Sequence, residues 1–148
     1  MDNEKMLRFL QNEHVLPKLR ADFYQRELKQ RDLDYGPNDL CIMRRVCRSE
    51  GMSQAQLASE VACPAPTVTR KLKKLIARGL IDKREDSTDY RKNCLYLTDE
   101  GREAAKTIYE ICNQSMDFFF EGFTEEEQEL CVSFLERMRQ NAEKALSE

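Results

Sequence analysis

The chain has 148 residues, of which 41% are hydrophobic and 34% are charged, and its net charge is −3. This length allows one domain with a hydrophobic core, and the composition is typical of a helix-rich globular protein. No apolar run approaches the ~20 residues that cross a bilayer, and the first residues lack a signal-peptide pattern. We therefore expect a cytoplasmic protein.

The six cysteines are widely spaced without a C-x-x-C pair, and the one histidine is His14. We expect reduced, mostly buried thiols, no metal site and no cofactor. The sequence also has no glycine-rich phosphate loop, nucleophile elbow or paired-carboxylate motif, so we expect a protein that is not an enzyme.

Residues 2–32 carry leucine and aromatic side chains at helical spacing, which predicts a first helix. Pro17 interrupts this stripe, so we expect either a kink or two helices that meet near His14–Pro17. A turn at Tyr35–Asp39 then introduces a second helix that runs to about Ser49.

A clear boundary follows the second helix. Gly51 can adopt the left-handed conformation that ends a helix. Ser53 and Gln56 form a capping box for a short helix from Gln54 to about Val61. The segment ACPAPT then breaks the helical pattern.

A basic helix is predicted from Pro64 to Arg78, and Gly79 ends it. The period then changes, because LIDKRE and NCLYLT each alternate apolar and polar residues. The polar segment DSTDYRK lies between them, which predicts a two-stranded hairpin with a charged tip.

Two helices are predicted in the last third of the chain. Thr98 caps the first, with Asp99 and Glu100 complementing the helix dipole, and Gly122 stops it. The segment TEEE forms another capping box, which begins the last helix.

The central order of helix, glycine turn, short helix, break, basic helix and hairpin is that of a helix-turn-helix followed by a wing. Residues 63–92 carry nine basic and four acidic side chains, a net charge of +5, against 15 basic and 23 acidic elsewhere, a net charge of −8. A basic face on an acidic protein is expected for duplex DNA binding. The alternative is an ordinary solvated helix face.

A recognition helix meets base edges with its first turns. Thr67, Thr69 and Arg70 are therefore the predicted base readers. Lys73 or Lys74 is the predicted phosphate partner. At the start of the preceding helix, Ser53 and Gln54 are expected to reach the DNA backbone.

The segments TVTRKLKKLIARGLIDKRE and DYRKNCLYLTDEG resemble the MarR family of winged-helix regulators, and the resemblance spans roughly residues 35–145. It implies that Arg91 reaches the minor groove or its backbone, that Asp89 helps to fix the wing and that Arg84 is a further basic wing position. It also implies a homodimer formed by the first and last helices, and operator release by small phenolic ligands or oxidants.

The expected fold class is mainly α, a winged helix-turn-helix with a two-stranded wing and terminal dimerisation helices. The expected domains are an N-terminal dimerisation region at 1–34, the DNA-binding domain at 35–98 and C-terminal dimerisation helices at 99–148. The predicted DNA-binding residues are Ser53, Gln54, Pro64, Thr67, Thr69, Arg70, Lys73, Lys74, Arg84, Asp89 and Arg91.

Dimerisation is also expected from the residues themselves. The terminal helices carry more apolar surface than a small winged helix can bury, and Met116–Phe120 places aromatic side chains on more than one helix face. The alternative is a larger intramolecular core. A two-fold dimer would read two half-sites of a pseudo-palindromic operator in double-stranded DNA.

The predicted function is a sequence-specific transcriptional regulator, a repressor released by a small phenolic or aromatic-acid effector. The candidate effector-binding residues are Phe23, Tyr24, Met43, Cys47 and Tyr109, although these side chains could equally be ordinary core. Cys63, directly before the basic helix, is the candidate thiol of a redox-sensing regulator. The sequence also leaves open a winged-helix protein-interaction module and a cysteine-dependent enzyme.

Overall fold

The computed structural model describes residues 1–61, 63–85 and 93–147. These residues form two compact units, Met1–Ser115 and Met116–Glu148, which are taken separately below. The mainly α fold class is confirmed by the helices and short strands of the described residues. In chain order they are α1 (Asn3–Gln30), α2 (Pro37–Arg48), β1 (Met52–Ser53), α3 (Gln54–Glu60), α4 (Ala65–Ala77), β2 (Ile81–Glu85), β3 (Asn93–Leu97), α5 (Asp99–Phe119) and α6 (Glu125–Ser147).

Helix α1 runs without interruption from Asn3 to Gln30, with Pro17 inside it. The expectation of two helices meeting near His14–Pro17 is therefore wrong. Proline removes one N–H donor, whereas a break would leave several N–H and C=O groups at two new helix ends without partners. A continuous helix thus loses fewer hydrogen bonds than two helices would. Asp2 caps α1 by accepting a 2.7 Å hydrogen bond from the Lys5 amide.

The three strands form one antiparallel sheet in the order β1-β3-β2. The two strands of the predicted hairpin are confirmed, with Ile81 opposite Leu97 and Arg84 opposite Cys94. Strand β1 was not predicted, because two residues are too short to show an alternating pattern. Its register places Met52 opposite Leu95, and the Met52 side chain is buried.

The core of the first unit is enclosed by the end of α1, by α2, α3, α4 and α5, and by the sheet. Each element contributes apolar side chains at the spacing of its own period, every third or fourth residue in the helices and every second residue in β3. The fully buried side chains include Leu40, Ile42, Met43, Leu57, Leu72, Leu75, Ile81, Leu95, Leu97, Ile108 and Ile111.

The predicted helix boundaries rest on local hydrogen bonds. Ser53 N donates to Gln56 Oε1 at 2.7 Å, and Gln56 N donates to Ser53 Oγ at 3.1 Å, which confirms the capping box. The Gly101 amide donates to Thr98 Oγ1 at 2.9 Å, so the predicted cap of α5 is also present. Gly79 has a φ of +71°, the left-handed conformation that ends α4.

Gly101 has a second role that its sequence position did not reveal. A Cβ atom added there would lie 2.0 Å from the carbonyl oxygen of Leu80. Because glycine has no Cβ atom, the first turn of α5 can approach the backbone between α4 and β2 this closely. A side chain at position 101 would prevent that approach.

The second unit consists of the end of α5 and helix α6. Thr124 and Glu127 form the predicted capping box, with Thr124 N donating to Glu127 Oε2 at 2.8 Å. No residue of α6 is buried. Large apolar side chains of this unit are exposed instead: Met116, Phe118, Phe123, Leu130, Val132, Phe134, Leu135, Met138 and Leu146.

Candidate nucleic-acid interface

Helix α4 has one buried face and one outward face. Val68, Leu72 and Leu75 are buried at helical spacing, which fixes the rotation of the helix against the core. The opposite positions, Pro66, Arg70, Lys73 and Ala77, are all exposed. The burial of three apolar side chains therefore presents Arg70 and Lys73 to solvent together.

Arg70 and Lys73 form no ion pair with any described residue of the chain. A guanidinium and an ammonium group that lack an internal carboxylate remain available for an external anion. Arginine can also bind a guanine edge through two parallel hydrogen bonds. The charge and exposure of Arg70 and Lys73 therefore fit contacts to both bases and phosphates.

Thr69 is held by the preceding helix. Gln54 Nε2, in the first turn of α3, donates a 3.1 Å hydrogen bond to Thr69 Oγ1. This bond joins two predicted DNA-binding residues that are 15 positions apart, and it ties the start of α3 to the outward side of α4. Ser53 contributes its side chain to the cap of α3.

The start of α4 carries the other predicted contacts. Pro64 is the N-cap residue and is exposed, and its carbonyl accepts a 2.8 Å hydrogen bond from the Thr67 amide. The Thr67 side chain is half-buried at the edge of the outward face. Pro64 and Thr67 thus lie in the first turn, where a recognition helix approaches the bases.

Three other cations of α4 and its C-cap, Lys71, Lys74 and Arg78, form ion pairs inside the protein. Their partners lie in the connector between α1 and α2 and at the start of α2. Lys71 Nζ lies 3.3 Å from Asp39 Oδ2. Lys74 Nζ lies 3.7 Å from Asp34 Oδ2. Lys74, which the sequence predicts as a phosphate contact, is therefore already paired with a carboxylate of the protein.

Arg78 completes this arrangement. Its Nη1 donates to the Asp34 carbonyl, and its guanidinium carbon lies 4.5 Å from the centre of the Tyr35 ring. Sequence reasoning missed the connector residues Asp34, Tyr35 and Asp39. The only signal was the spacing of Lys71, Lys74 and Arg78, which recur at helical intervals on one side of α4.

The wing presents Arg84 on β2. Arg84 Nε donates a 2.8 Å hydrogen bond to Asp82 Oδ2, and this bond raises the pKa of the guanidinium. Its guanidinium carbon lies 4.7 Å from the centre of the Tyr96 ring on β3. The other two predicted wing residues, Asp89 and Arg91, lie outside the described residues.

A cavity of about 480 Å³ lies beside the helix-turn-helix, between α1, α2, α3 and α5. Of the predicted effector residues, it includes Tyr109. Tyr24 and Met43 are buried in the core, and Phe23 and Cys47 pack against that core. The lining residues are Arg20, Cys41, Arg44, Arg45, Arg48, Glu60, Val61 and Tyr109.

The cavity is rich in positive charge. Arg45 pairs with Glu60, and Arg44 Nη1 lies 3.8 Å from Cys112 Sγ. Arg20 and Arg48 have no carboxylate partner among the described residues. Burial raises the pKa of the Cys41 thiol, although the nearby Arg44 partly opposes that shift. The Cys41 thiol therefore stays neutral beside the arginines.

Comparison with known proteins agrees with this arrangement. The MarR family model matches residues 37–92. The resemblance of this segment to the MarR family of transcriptional regulators is thereby confirmed. The match begins at the first residue of α2 and ends beyond β2, so it covers the helix-turn-helix and the first half of the wing.

Proteins similar to this chain include the HTH-type transcriptional regulators YybA and YdgJ of Bacillus subtilis. YybA is 28% identical over 77% of this chain and 76% of its own length. YdgJ is 31% identical over 68% of this chain and 61% of its own length.

Solved structures share the fold. A crystal structure of MarR is 26% identical, has a TM-score of 0.77 and covers 100% of this chain and 98% of its own. A MarR-family regulator from Listeria monocytogenes in complex with 26mer DNA is 23% identical, has a TM-score of 0.81 and covers 89% of this chain and 87% of its own.

The candidate redox residue is Cys63, which is half-buried and lies directly before the N-cap of α4. None of the six cysteines, all of which lie among the described residues, forms a disulfide; Cys94 and Cys112 are buried and the other four are partly buried. In the described part of the chain, no helix is long and apolar enough to cross a membrane.

Proposed function

We propose that this protein is a sequence-specific DNA-binding regulator that acts in the cytoplasm as a dimeric repressor. The observation that carries this proposal is the outward face of α4. Arg70 and Lys73 are exposed there next to Thr69, and neither cation pairs with a carboxylate of the described residues. The helix enters the major groove, Thr67, Thr69 and Arg70 read bases, and Lys73 binds phosphate. A relative with the same fold has been solved with bound DNA, which supports the proposal.

We also propose that the protein dimerises. The dimer contacts come from residues 1–34 and 99–148, which precede and follow the DNA-binding domain at 35–98 in the sequence. All residues from 1 to 20 are exposed, including a series of large apolar side chains, and α6 has no buried residue. Solvent-exposed apolar surface of this extent is typical of a protein interface. On α1 the exposed apolar residues are Met6, Leu7, Phe9, Leu10, Val15, Leu16 and Leu19.

The effector of the repressor is an aromatic acid that binds the arginine-lined cavity. A carboxylate can pair with a guanidinium through two hydrogen bonds, and Arg20 and Arg48 have no carboxylate among the described residues that would compete for them. Tyr109 supplies an aromatic wall. The ligand releases DNA only to the extent that it binds the non-operator conformation more tightly than the operator-bound one.

Selection from randomised duplexes, followed by footprinting, tests the DNA-binding proposal. We expect two protected half-sites about one helical turn apart, with affinity that falls steeply as salt rises. A protein-interaction module would give no protected site and a flat salt response. The comparisons with transcriptional regulators do not favour such a module.

Titration of the operator complex with salicylate tests the effector proposal. We expect salicylate to release DNA, its neutral amide to act more weakly, and Arg48→Gln to weaken the release. Arg26→Gln removes an arginine outside the cavity and should behave as the wild type. A redox regulator would instead release DNA with peroxide alone, and Cys63→Ser would abolish that release.

A further inference from the structure

The connector between α1 and α2 places an exposed carboxylate beside the recognition helix. Asp34 is 86% exposed, and its Oδ2 lies 3.7 Å from Lys74 Nζ and 3.8 Å from Arg78 Nη1. Both distances are near the outer limit of an ion pair. Such exposed pairs contribute little to folding stability, so the carboxylate exchanges readily with another anion.

Lys74 lies where a DNA phosphate could replace Asp34. It follows Lys73 directly and lies one helical turn after Arg70, so it borders the outward face that carries those two cations. The Lys74 side chain is 50% exposed. Lys71 differs, because its partner Asp39 is buried and the pair lies at the core edge. Lys74 is therefore the paired cation that DNA can recruit at least cost.

We propose that Asp34 is an internal competitor for DNA phosphate, which holds Lys74 and thereby lowers the affinity of this protein for DNA of any sequence. The inference rests on the proposed DNA-binding function. Non-specific binding comes almost entirely from phosphate contacts, so one competing carboxylate per protomer acts on that interaction directly. Arg78 keeps its bonds to the Asp34 carbonyl and the Tyr35 ring, so Lys74 is the cation that loss of the carboxylate releases.

The test compares Asp34→Asn with Asp32→Asn in the full-length protein. Both carboxylates are exposed, both lie in the connector and both changes remove one negative charge. Asp32 forms no ion pair with a described residue, and its φ of +53° is one that asparagine tolerates well. Asp32→Asn therefore reports the long-range effect of charge alone.

Binding to a labelled duplex of arbitrary sequence is measured by fluorescence anisotropy between about 50 and 200 mM salt. For Asp34→Asn we expect affinity about 2- to 10-fold higher than wild type. Its plot of log K against log salt should steepen by about 0.9 for each additional phosphate that the protein neutralises, or about 1.8 for a dimer. Asp32→Asn should keep the wild-type slope, and the double variant Asp34→Asn/Lys74→Gln should return to it.

If Asp34→Asn and Asp32→Asn show the same DNA affinity and the same salt slope, the inference is overturned while the proposed function stands. A steeper slope that persists in the double variant also overturns it, because Lys74 would not be the released cation. If the wild type binds no duplex at any salt concentration, the proposed function fails and the inference fails with it. Thermal melting of all variants confirms that each is folded.

Discussion

Lys71 Nζ lies 3.3 Å from Oδ2 of Asp39, a carboxylate whose side chain is 1% exposed. The same oxygen accepts a 2.7 Å hydrogen bond from the Gly36 amide, whereas Oδ1 has no hydrogen-bond partner among the described residues. One buried carboxylate thus joins the start of α2 to the recognition helix. It also holds the Lys71 ammonium in an ion pair at the edge of the core.

Replacement of Lys71 by methionine should therefore destabilise the fold. It leaves Asp39 buried without its counterion, and because Lys71 is itself 23% exposed we expect a loss of about 1–3 kcal/mol and not the full cost of a buried pair. Urea denaturation measures the free energy of unfolding. Lys73→Met, on the exposed face, should change it by less than about 0.5 kcal/mol.

A double-mutant cycle checks that the pair is the cause. Asp39→Asn combined with Lys71→Met should cost less than the sum of the single changes, with a coupling of about 0.5–3 kcal/mol. Additive single effects would show that Lys71 stabilises α4 by packing alone.

Arg70→Ala should change which base is preferred at one operator position, at a cost of about 1–3 kcal/mol for a bidentate base contact. Lys73→Ala should instead weaken binding to every sequence and lower the salt slope by about 0.9 for each phosphate that is no longer neutralised. Selection from randomised operators separates the two results. Lys106→Ala, on the exposed side of α5, controls for the loss of one positive charge. An unchanged base preference in Arg70→Ala would remove Arg70 from the base readers.

Phe134→Asp should convert the proposed dimer to a monomer, because it places a charge among the exposed apolar side chains of α6. Sedimentation equilibrium measures the dimer dissociation constant, and operator affinity should fall in parallel because one protomer reads only one half-site. Gln140→Asp adds the same charge on another side of α6 and should keep the dimer. A Phe134→Asp protein that remains dimeric would exclude this face from the interface.

Stability should fall in alkaline solution. Burial raises the pKa of the Cys41 thiol and of the Tyr24 hydroxyl above their ordinary values of 9.0 and 10.0. The unfolded chain then loses these protons first, so stability is complete below about pH 9 and declines as pH rises through the raised values. Tyr24→Phe should reduce the decline above about pH 10, measured as the denaturation midpoint against pH. An unchanged pH profile would show that Tyr24 ionises as easily in the folded protein.

The sequence by itself determined the order of the elements and most of their ends. The capping boxes of Ser53 with Gln56 and of Thr124 with Glu127 were predictable, because each is made within four residues of the chain. The buried positions of α4 were predictable because helical period alone separates Val68, Leu72 and Leu75 from the outward face. The basic surface followed from counting charge in one segment.

Only the tertiary structure decided which of those cations remain available to DNA. Asp34 and Asp39 reach α4 across 32 or more positions of the chain, and no local pattern specifies such a contact. The pairing of β1 with β3 and the arginine lining of the cavity are decided in the same way, since each brings together elements that are distant in sequence. Residue type and spacing fix what a helix carries on each face, but only the packing of that helix against its neighbours fixes which charges are already paired.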